Sequence, residues 1–143
     1  MGSEFATDFV LRRLIAQGKK VSVPLLSGDA MHLVELSHPW SLVTQERGAP
    51  LPRQPWNDIA SDAIDIVIVP GLRFGRDVSR LGQGGGHYDR FLTAHPRSLR
   101  VGLAFEAQLT ATVGAAEAHD EGMDIIVTED GPLRVGRVER SQR

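Results

Sequence analysis

Four glycines lie within five positions of the chain, immediately before a short helical pattern. They are Gly82, Gly84, Gly85 and Gly86. Because glycine has no Cβ, backbone amides in such a loop can converge on an anion at the N-terminus of the following helix. The spacing therefore predicts a phosphate-binding loop. A flexible or tight-turn loop has the same glycine content, and from the glycines alone it is an equal alternative.

Two charged residues flank the loop and favour a nucleotide triphosphate. Arg80 offers a planar guanidinium for phosphate oxygens, and Asp89 offers a carboxylate for Mg²⁺, the usual companion of ATP. Two better-known nucleotide loops are excluded, because position 87 is histidine. A Walker A motif requires lysine there, and the dinucleotide fingerprint requires a third glycine.

Other titratable residues have both a chemical and a simpler interpretation. His87 can donate to a phosphate or stack on a ligand, yet a loop histidine is as often an exposed bystander. His119 and Asp120, with Asp124, are residue types that bind metals, although carboxylates before a strand are more often solvated. Three histidines show no metal-ligand spacing with one another and are interpreted as surface residues. They are His32, His38 and His95.

The first third of the chain has the pattern of a helix followed by two strands. Apolar residues at near-helical spacing predict one helix, which Thr7 caps and Gly18 ends. Alternating apolar and polar residues predict a half-buried strand over 19–25. A turn at 27–29 and a second short strand over 31–36 follow. Prolines then argue against a helix between residues 37 and 56.

The rest of the chain alternates predicted strands with a helix. Residues 64–69 are a nearly continuous apolar, β-branched run, which is typical of a central parallel strand covered on both faces. A short helix is predicted over 88–95, and further strands over 99–105 and 124–128. This order predicts an α/β domain with three layers (αβα) and a mixed, mainly parallel, Rossmann-like sheet. Ligands are expected at the carboxyl ends of its strands, around Pro70, the glycine loop and Asp120.

Composition excludes several classes of protein. The 143 residues are 41% hydrophobic and 24% charged, which fits a single domain over residues 1–143. A formal net charge of -2 gives no broad positive field for nucleic acid or for an anionic membrane. The apolar runs are far shorter than the roughly 20 residues of a membrane helix. The chain has no cysteine, so we expect a cytoplasmic protein; its oligomeric state has no signal in the sequence.

Five separated motifs of the chain recur, in the same order and spacing, in one known family. They are residues 69–74 (VPGLRF), 80–92 (RLGQGGGHYDRFL), 101–105 (VGLAF), 119–120 (HD) and 127–129 (VTE). With these motifs the chain resembles the C-terminal two-thirds of 5-formyltetrahydrofolate cyclo-ligases, also called methenyltetrahydrofolate synthetases. The resemblance extends upstream to Met31 and to the helix that ends at Gly18, so that it covers nearly the whole chain.

The resemblance implies an ATP-dependent folate enzyme. Members of the family use ATP and Mg²⁺ to convert 5-formyltetrahydrofolate into 5,10-methenyltetrahydrofolate, with release of ADP and phosphate. The formyl oxygen attacks the γ-phosphate, and the second folate nitrogen then displaces phosphate as the ring closes. Such a reaction depends on positioning and charge neutralisation. No protein nucleophile is implied.

Carried over residue by residue, the resemblance implies three groups of contacts. The residues implied at the ATP phosphates are Arg80, Leu81, Gly82, Gln83, Gly84, Gly85, Gly86, His87 and Tyr88. The residues implied at the folate are Glu4, Met31, Gln83, Gly84, Gly85, Gly86 and His87. The residues implied at Mg²⁺ are Asp89 and Asp120.

The N-terminus has two interpretations. Residues 1–5 have the composition of a cloning scar. Glu4, however, stands fourteen residues before Gly18, and this is the spacing at which the family has a glutamate that contacts the pteridine. We therefore expect residues 1–5 to be native-like, in a chain whose N-terminal part is lacking through truncation or a misplaced start. The family's first helix and strand would then be missing, with the basic residues that contact ATP.

The chain departs from the family pattern at four positions. Gln83 stands where an aromatic or basic residue is common, and His87 where tyrosine or phenylalanine is usual. Gly75 replaces a usual aspartate, and Val78 replaces a usual glycine. These departures keep two alternatives open. One is a non-catalytic folate- or nucleotide-binding relative, and the other is a sugar-phosphate-binding α/β protein that shares only the loop.

Overall fold

The computed structural model describes residues 7–36, 42–43, 51–52, 64–114 and 120–134. The chain divides into two compact units, Met1–Ala63 and Ile64–Arg143. Among the described residues, no helix is both long and apolar enough to cross a membrane. The single domain over residues 1–143 stays a prediction.

The first unit begins with a helix, α1, over Asp8–Ala16. The carbonyl of Thr7 accepts a hydrogen bond from Leu11 N at 2.9 Å, which places Thr7 at the N-terminal boundary. The predicted side-chain cap is wrong, because Thr7 has helical backbone angles and its hydroxyl makes no capping hydrogen bond. The predicted end is confirmed: Gly18 has a φ of 71°, the left-handed geometry that closes many helices.

Two antiparallel strands follow the helix, β1 over Ser22–Ser27 and β2 over Ala30–Glu35. A two-residue turn at 28–29 joins them. Both predicted strands and the turn between them are confirmed, although β1 begins later than the pattern indicated. Met31, which the resemblance places at the folate, lies half-buried in β2.

A second, shorter strand pair lies in the region for which the prolines predict irregular structure. β3 over Leu42–Val43 pairs antiparallel with β4 over Leu51–Pro52. Most of the region 37–63, including His38, lies outside the described residues.

The second unit contains the regular structure around the glycine loop. In chain order its elements are β5 (Ile66–Val69), β6 (Arg73–Gly75), β7 (Arg80–Leu81), α2 (His87–Ala94), β8 (Leu99–Leu103), β9 (Leu109–Thr110), β10 (Ile125–Thr128) and β11 (Gly131–Arg134). A 3₁₀ turn at Glu106–Gln108 lies between β8 and β9. The predicted elements β5, α2, β8 and β10 are confirmed. The sequence patterns missed β6, β7, β9 and β11.

Four of these strands form one mixed sheet in the order β11–β10–β8–β5. β8 pairs parallel with both β5 and β10, whereas β11 pairs antiparallel with β10. The predicted central strand over 64–69 is wrong, because β5 is the edge strand of the described sheet and β8 lies inside it. Ile66 is 57% exposed and Ile68 is 38% exposed, so the apolar run is not covered on both faces.

The face of this sheet opposite to Ile66 and Ile68 packs against α2. Arg100, on β8, is buried and donates through Nη2 to the Leu92 carbonyl of α2 at 2.9 Å. Val69, Leu92 and Ile126 are fully buried, and each contributes about 1.5–3 kcal/mol of burial free energy. The mixed α/β architecture is therefore confirmed, while the three-layer, Rossmann-like arrangement stays a prediction.

Phe74 packs β6 against the loop before it and against the sheet. Its ring is fully buried. A Cβ added at Gly102 of β8 would lie 2.6 Å from the Phe74 Cε1 atom, and one added at Gly71 would lie 2.7 Å from Cζ. Both glycines thus leave the room that the ring occupies. This close approach explains why the motifs at 69–74 and 101–105 each contain a glycine.

β6 pairs antiparallel with β7 and parallel with β9, which makes a small second sheet. The turn at 76–79 joins β6 to β7 and contains Val78 at a φ of 63°. A β-branched residue rarely adopts this left-handed conformation. Gly75 N donates to Ser79 O at 2.8 Å, and Met123 N donates to Val78 O at 2.8 Å. One hydrogen bond within the turn and one from the distant residue Met123 therefore stabilise its conformation.

Candidate functional site

The glycine loop joins β7 to α2. Gly84 has a φ of 89° and Gly86 a φ of 64°, which are left-handed conformations that favour glycine. Gly86 occupies the N-cap position of α2, so the loop delivers its backbone directly to the positive end of the helix dipole. Gly84 and Gly85 are exposed. The local geometry is therefore compatible with the predicted binding of an anion.

An open cavity of about 460 Å³ lies beside the loop. Its lining residues are Gly84, Gly85, Gly86, Asp89, Arg90 and Thr93. The structure thus brings together four of the sequence-predicted residues, the three glycines and Asp89. It adds Arg90 and Thr93, which the sequence analysis did not select.

Arg80 lies on β7 and its side chain points inward rather than into this cavity. Only 5% of the side chain is exposed. Nη2 donates to Asp89 Oδ1 at 2.8 Å, and Nη1 donates to the Pro70 carbonyl at 3.1 Å. Arg80 therefore holds a carboxylate of the cavity and the carboxyl end of β5. Its predicted contact with ATP phosphates stays a prediction.

Arg90 is the arginine that lines the cavity. It is exposed, and its Nη2 donates to the Gly85 carbonyl at 3.1 Å. A Cβ added at Gly86 would lie 2.8 Å from Arg90 Nη1, so the bare backbone at Gly86 makes room for the guanidinium. The signal for Arg90 was present in the sequence, because residues 86 and 90 are four apart and share one side of a helix.

Asp89 is fixed through one of its two carboxylate oxygens. Within the described residues its hydrogen bonds go to Oδ1, from Arg80 Nη2 at 2.8 Å and from Glu121 N at 3.2 Å. Oδ2 is left without a described partner, in a residue that lines the cavity. Asp120 is exposed and adjoins Glu121 in the chain. The backbone thus brings the two predicted metal ligands into one neighbourhood.

Asp89 and Asp120 are of a residue type that binds Mg²⁺. The described residues contain no group of three or more acidic, histidine or cysteine side chains that could hold a metal ion. Mg²⁺ in nucleotide sites is usually held by one or two carboxylates together with phosphate oxygens and water. Two carboxylates beside the predicted phosphate-binding loop fit that pattern, and the metal assignment stays a prediction.

The other predicted site residues differ in exposure and location. Leu81 and Gln83 are exposed, whereas His87 and Tyr88 are half-buried at the start of α2. Gly82 lies close to Arg80, since an added Cβ would lie 2.7 Å from its Nη1. Glu4 and His119, one a predicted folate contact and the other part of the possible metal cluster, lie outside the described residues.

A titrating group with a clear shift lies in the turn at 76–79, away from the residues that line the cavity. The Ser79 hydroxyl donates to the Asp77 carboxylate, and this hydrogen bond lowers the pKa of Asp77 below its ordinary value of 3.8. Asp77 is exposed. We therefore interpret the shift as part of the turn rather than of the site.

Comparison with known proteins gives consistent family names. The family model described as the 5-formyltetrahydrofolate cyclo-ligase family matches residues 1–129. The mouse 5-formyltetrahydrofolate cyclo-ligase is 28% identical over 149 residues, covering 92% of this chain and 71% of its own length. The protein of the same name from Mycolicibacterium smegmatis is 30% identical, covering 90% of this chain and 69% of its own length.

A solved structure shares the fold. The NMR structure of Aquifex aeolicus 5,10-methenyltetrahydrofolate synthetase aligns with a TM-score of 0.75 at 24% identity, covering 99% of this chain and 74% of that one. Both named relatives and the structural neighbour are enzymes by name. The family model matches most of the chain, including the glycine loop and both predicted metal ligands. The chain therefore belongs to the 5-formyltetrahydrofolate cyclo-ligase family, a family of enzymes.

Proposed function

We propose that this protein converts 5-formyltetrahydrofolate to 5,10-methenyltetrahydrofolate with ATP and Mg²⁺, releasing ADP and phosphate. Family membership supports the reaction. The observation that carries the proposal is the cavity in which the loop glycines, a carboxylate and an arginine lie together. These are the groups that a metal–nucleotide complex requires.

The phosphates of ATP are proposed to bind at the N-terminus of α2. The bare backbone at 84–86 offers amide donors, and the helix dipole adds positive potential at the same place. Arg90 supplies a positive charge beside them, since this exposed residue lines the cavity. Arg80 is proposed to act mainly through Asp89, because its guanidinium already contacts that carboxylate.

Asp89 and Asp120 are proposed to hold Mg²⁺. Oδ1 of Asp89 is engaged by Arg80 and by Glu121 N, so Oδ2 is the oxygen that would hold the metal. When bound, the metal neutralises phosphate charge. The residues of the chain then orient the nucleotide and the folate, and no protein nucleophile is part of the proposal.

The folate is proposed to contact Glu4, Met31 and the loop residues 83–87. The finer fold assignment belongs to the same proposal: one three-layer domain, with ligands at the carboxyl ends of the parallel strands. β5, β8 and β10 run in parallel, and the Gly71 segment, the 3₁₀ turn and Glu129 follow their carboxyl ends. A cytoplasmic location also stays a prediction.

The reaction is tested by following the absorbance of methenyltetrahydrofolate. We expect product when 5-formyltetrahydrofolate, ATP and Mg²⁺ are all present, and none when ATP or Mg²⁺ is left out. Asp89→Asn should remove turnover. Binding of ATP and folate without any product would contradict the enzyme and establish the non-catalytic relative instead. Absence of folate binding would favour the sugar-phosphate alternative.

The arginine assignment is tested by calorimetry with ATP. Arg90→Met should weaken ATP binding about 10- to 100-fold, because a charge-assisted hydrogen bond contributes about 1.5–3 kcal/mol. Arg97→Met is the matched control, since Arg97 is exposed beyond the end of α2 and is not among the cavity residues. Equal affinities of the two variants would contradict the role of Arg90.

A further inference from the structure

A half-buried ion pair adjoins the two carboxylates that are proposed to hold Mg²⁺, and its acidic partner, Glu121, is 26% exposed. Arg100 Nη1 donates to Glu121 Oε2, and only 4% of the Arg100 side chain is exposed. Nη2 of the same guanidinium donates to the Leu92 carbonyl at 2.9 Å. The pair therefore ties the segment around Glu121 to both β8 and α2.

Glu121 makes two further contacts at the cavity itself. Its backbone N donates to Asp89 Oδ1 at 3.2 Å. Its Oε1 lies 2.9 Å from the Thr93 hydroxyl, which also lies 2.8 Å from the Asp89 carbonyl. The hydroxyl has one proton and donates to one of these acceptors at a time. Glu121 thus touches both the side chain and the helical turn of Asp89.

The same segment is anchored again three residues later. Asp124 Oδ2 accepts a hydrogen bond from Arg100 N at 2.7 Å, and Asp124 N donates to Arg100 O at 2.9 Å. Residues 121 and 124 are therefore both fastened to Arg100, one by its side chain and the other by its backbone. Asp120 directly precedes Glu121 in the chain, so its backbone is fixed at one end by this anchoring.

From this geometry we propose that Arg100 and Glu121 are positioning residues for the metal–nucleotide site. The Arg100–Glu121 pair sets the place of Asp120 through the chain and the orientation of Asp89 through a hydrogen bond. The inference rests on the proposed function, because it takes the Mg²⁺ complex of ATP as the ligand. Neither residue is among those that line the cavity.

Stability alone is a weak reason for such a pair. Desolvation of a buried charge such as that of Arg100 often offsets its attraction to a partner, and apolar replacements of similar volume are frequently as stable. Arg100 Nε is also buried without a hydrogen-bond partner in the described structure, which adds a further cost. Outer partners that orient metal ligands have a different value, since their loss typically weakens metal binding about 10- to 100-fold.

The test compares two titrations of the same protein, one with ATP and excess Mg²⁺ and one with ATP and EDTA. Glu121→Gln keeps the shape and the backbone amide but removes the charge. We expect it to weaken Mg²⁺–ATP binding about 10-fold or more, while binding of metal-free ATP stays within about twofold. Thr93→Val, at an exposed position, should act in the same direction with a smaller effect.

Ser98→Ala is the matched control for general destabilisation. Ser98 is buried just before β8, two residues from Arg100, and its hydroxyl donates to the Ile64 carbonyl at 2.8 Å. This variant should lower the melting temperature without changing either titration. A structural role for Glu121 would weaken both ATP titrations alike, and that outcome would overturn the inference.

The wild-type titration separates this inference from the proposed function. If the wild-type protein binds Mg²⁺–ATP and Glu121→Gln binds it equally well, the positioning role is wrong and the proposed function stands. If the wild-type protein binds neither form of ATP, the proposed function fails and the inference fails with it. Arg100→Lys keeps the charge, so it should retain more metal-dependent affinity than Arg100→Met.

Discussion

Two left-handed segments follow one another in the second unit and are built in opposite ways. The loop at 82–86 reaches positive φ at Gly84 and Gly86, whereas the turn at 76–79 reaches it at Val78. Backbone hydrogen bonds hold the turn, including one from Met123 N. The loop has to keep its amides bare, because they are the proposed binding surface. A positive φ alone does not demand glycine, whereas a surface made of backbone amides does.

The comparison also explains a departure from the family pattern. A left-handed conformation costs a residue with a Cβ about 1–2 kcal/mol, and the hydrogen bonds of the turn offset that cost at Val78. Gly75 is the second departure in this region. The side chains of Asp77 and Ser79 occupy the space that a side chain at position 75 would need. A Cβ added there would collide with Asp77 Oδ1 and Ser79 Oγ. The departures at Gly75 and Val78 are therefore compatible with a hydrogen-bonded, closely packed turn.

The largest expected effect comes from adding a side chain to the loop. Gly86→Ala should weaken ATP binding at least about 10-fold, because the new Cβ would lie 2.8 Å from Arg90 Nη1 and would strain a φ of 64°. Gly28→Ala is the control, since Gly28 has a φ of 60° with nothing within 4 Å of an added Cβ. It should lower stability by about 1 kcal/mol and leave the calorimetric affinity unchanged. Unchanged ATP affinity in Gly86→Ala would show that the loop at 82–86, like the turn at 76–79, does not require glycine.

The next effect is a gain of stability in the turn. Val78→Gly should raise the free energy of unfolding in urea by about 0.5–1 kcal/mol, because relief of the left-handed strain exceeds the added entropy of the unfolded chain. Val78→Ala keeps the Cβ and should gain less. A loss of stability in Val78→Gly would show that the packing of the valine side chain outweighs the strain.

The smallest expected effect concerns pH. The folded-state pKa of Asp77 is lowered, chiefly by the Ser79 hydroxyl, so its contribution is present above the unfolded-state pKa and is lost as pH falls through the folded-state value. Asp77→Asn should cost about 0.5 kcal/mol or less near pH 6, because water screens an exposed group. The difference should shrink in urea unfolding as the pH falls below the unfolded-state pKa of Asp77. Ser79→Ala should reproduce this trend, and a difference that does not change with pH would exclude titration as its cause.

Local chemistry was readable from the sequence, and packing between distant segments was not. The loop glycines and Asp89 were found because their types crowd into ten consecutive residues. Arg90 and Thr93 were missed although 86, 90 and 93 share a helical face, because the glycine signal ends at residue 86, before the helical turns that carry them. The contacts of Glu121 join residues 21 to 32 positions apart, and no local pattern predicts them.

The same limit explains the error at residues 64–69. A continuous apolar run is typical of a strand covered on both faces, but coverage depends on which strands and helices lie beside it. In the described sheet β8 holds the inner place, with a glycine and a buried arginine in its sequence. Hydrophobicity therefore identified residues 64–69 correctly as a strand, but it wrongly predicted that this strand is buried on both faces.

The ring of Phe74 packs against Gly71 and Gly102, so the residue types allowed at these three positions depend on one another. Alanine at Gly102 would meet the ring at 2.6 Å, so it is expected to be tolerated only where position 74 carries a smaller side chain. Among homologues, large residues at 74 should thus accompany glycine at 102, and the two should change together. Exchange of either residue alone between family members is then expected to fail where exchange of both succeeds.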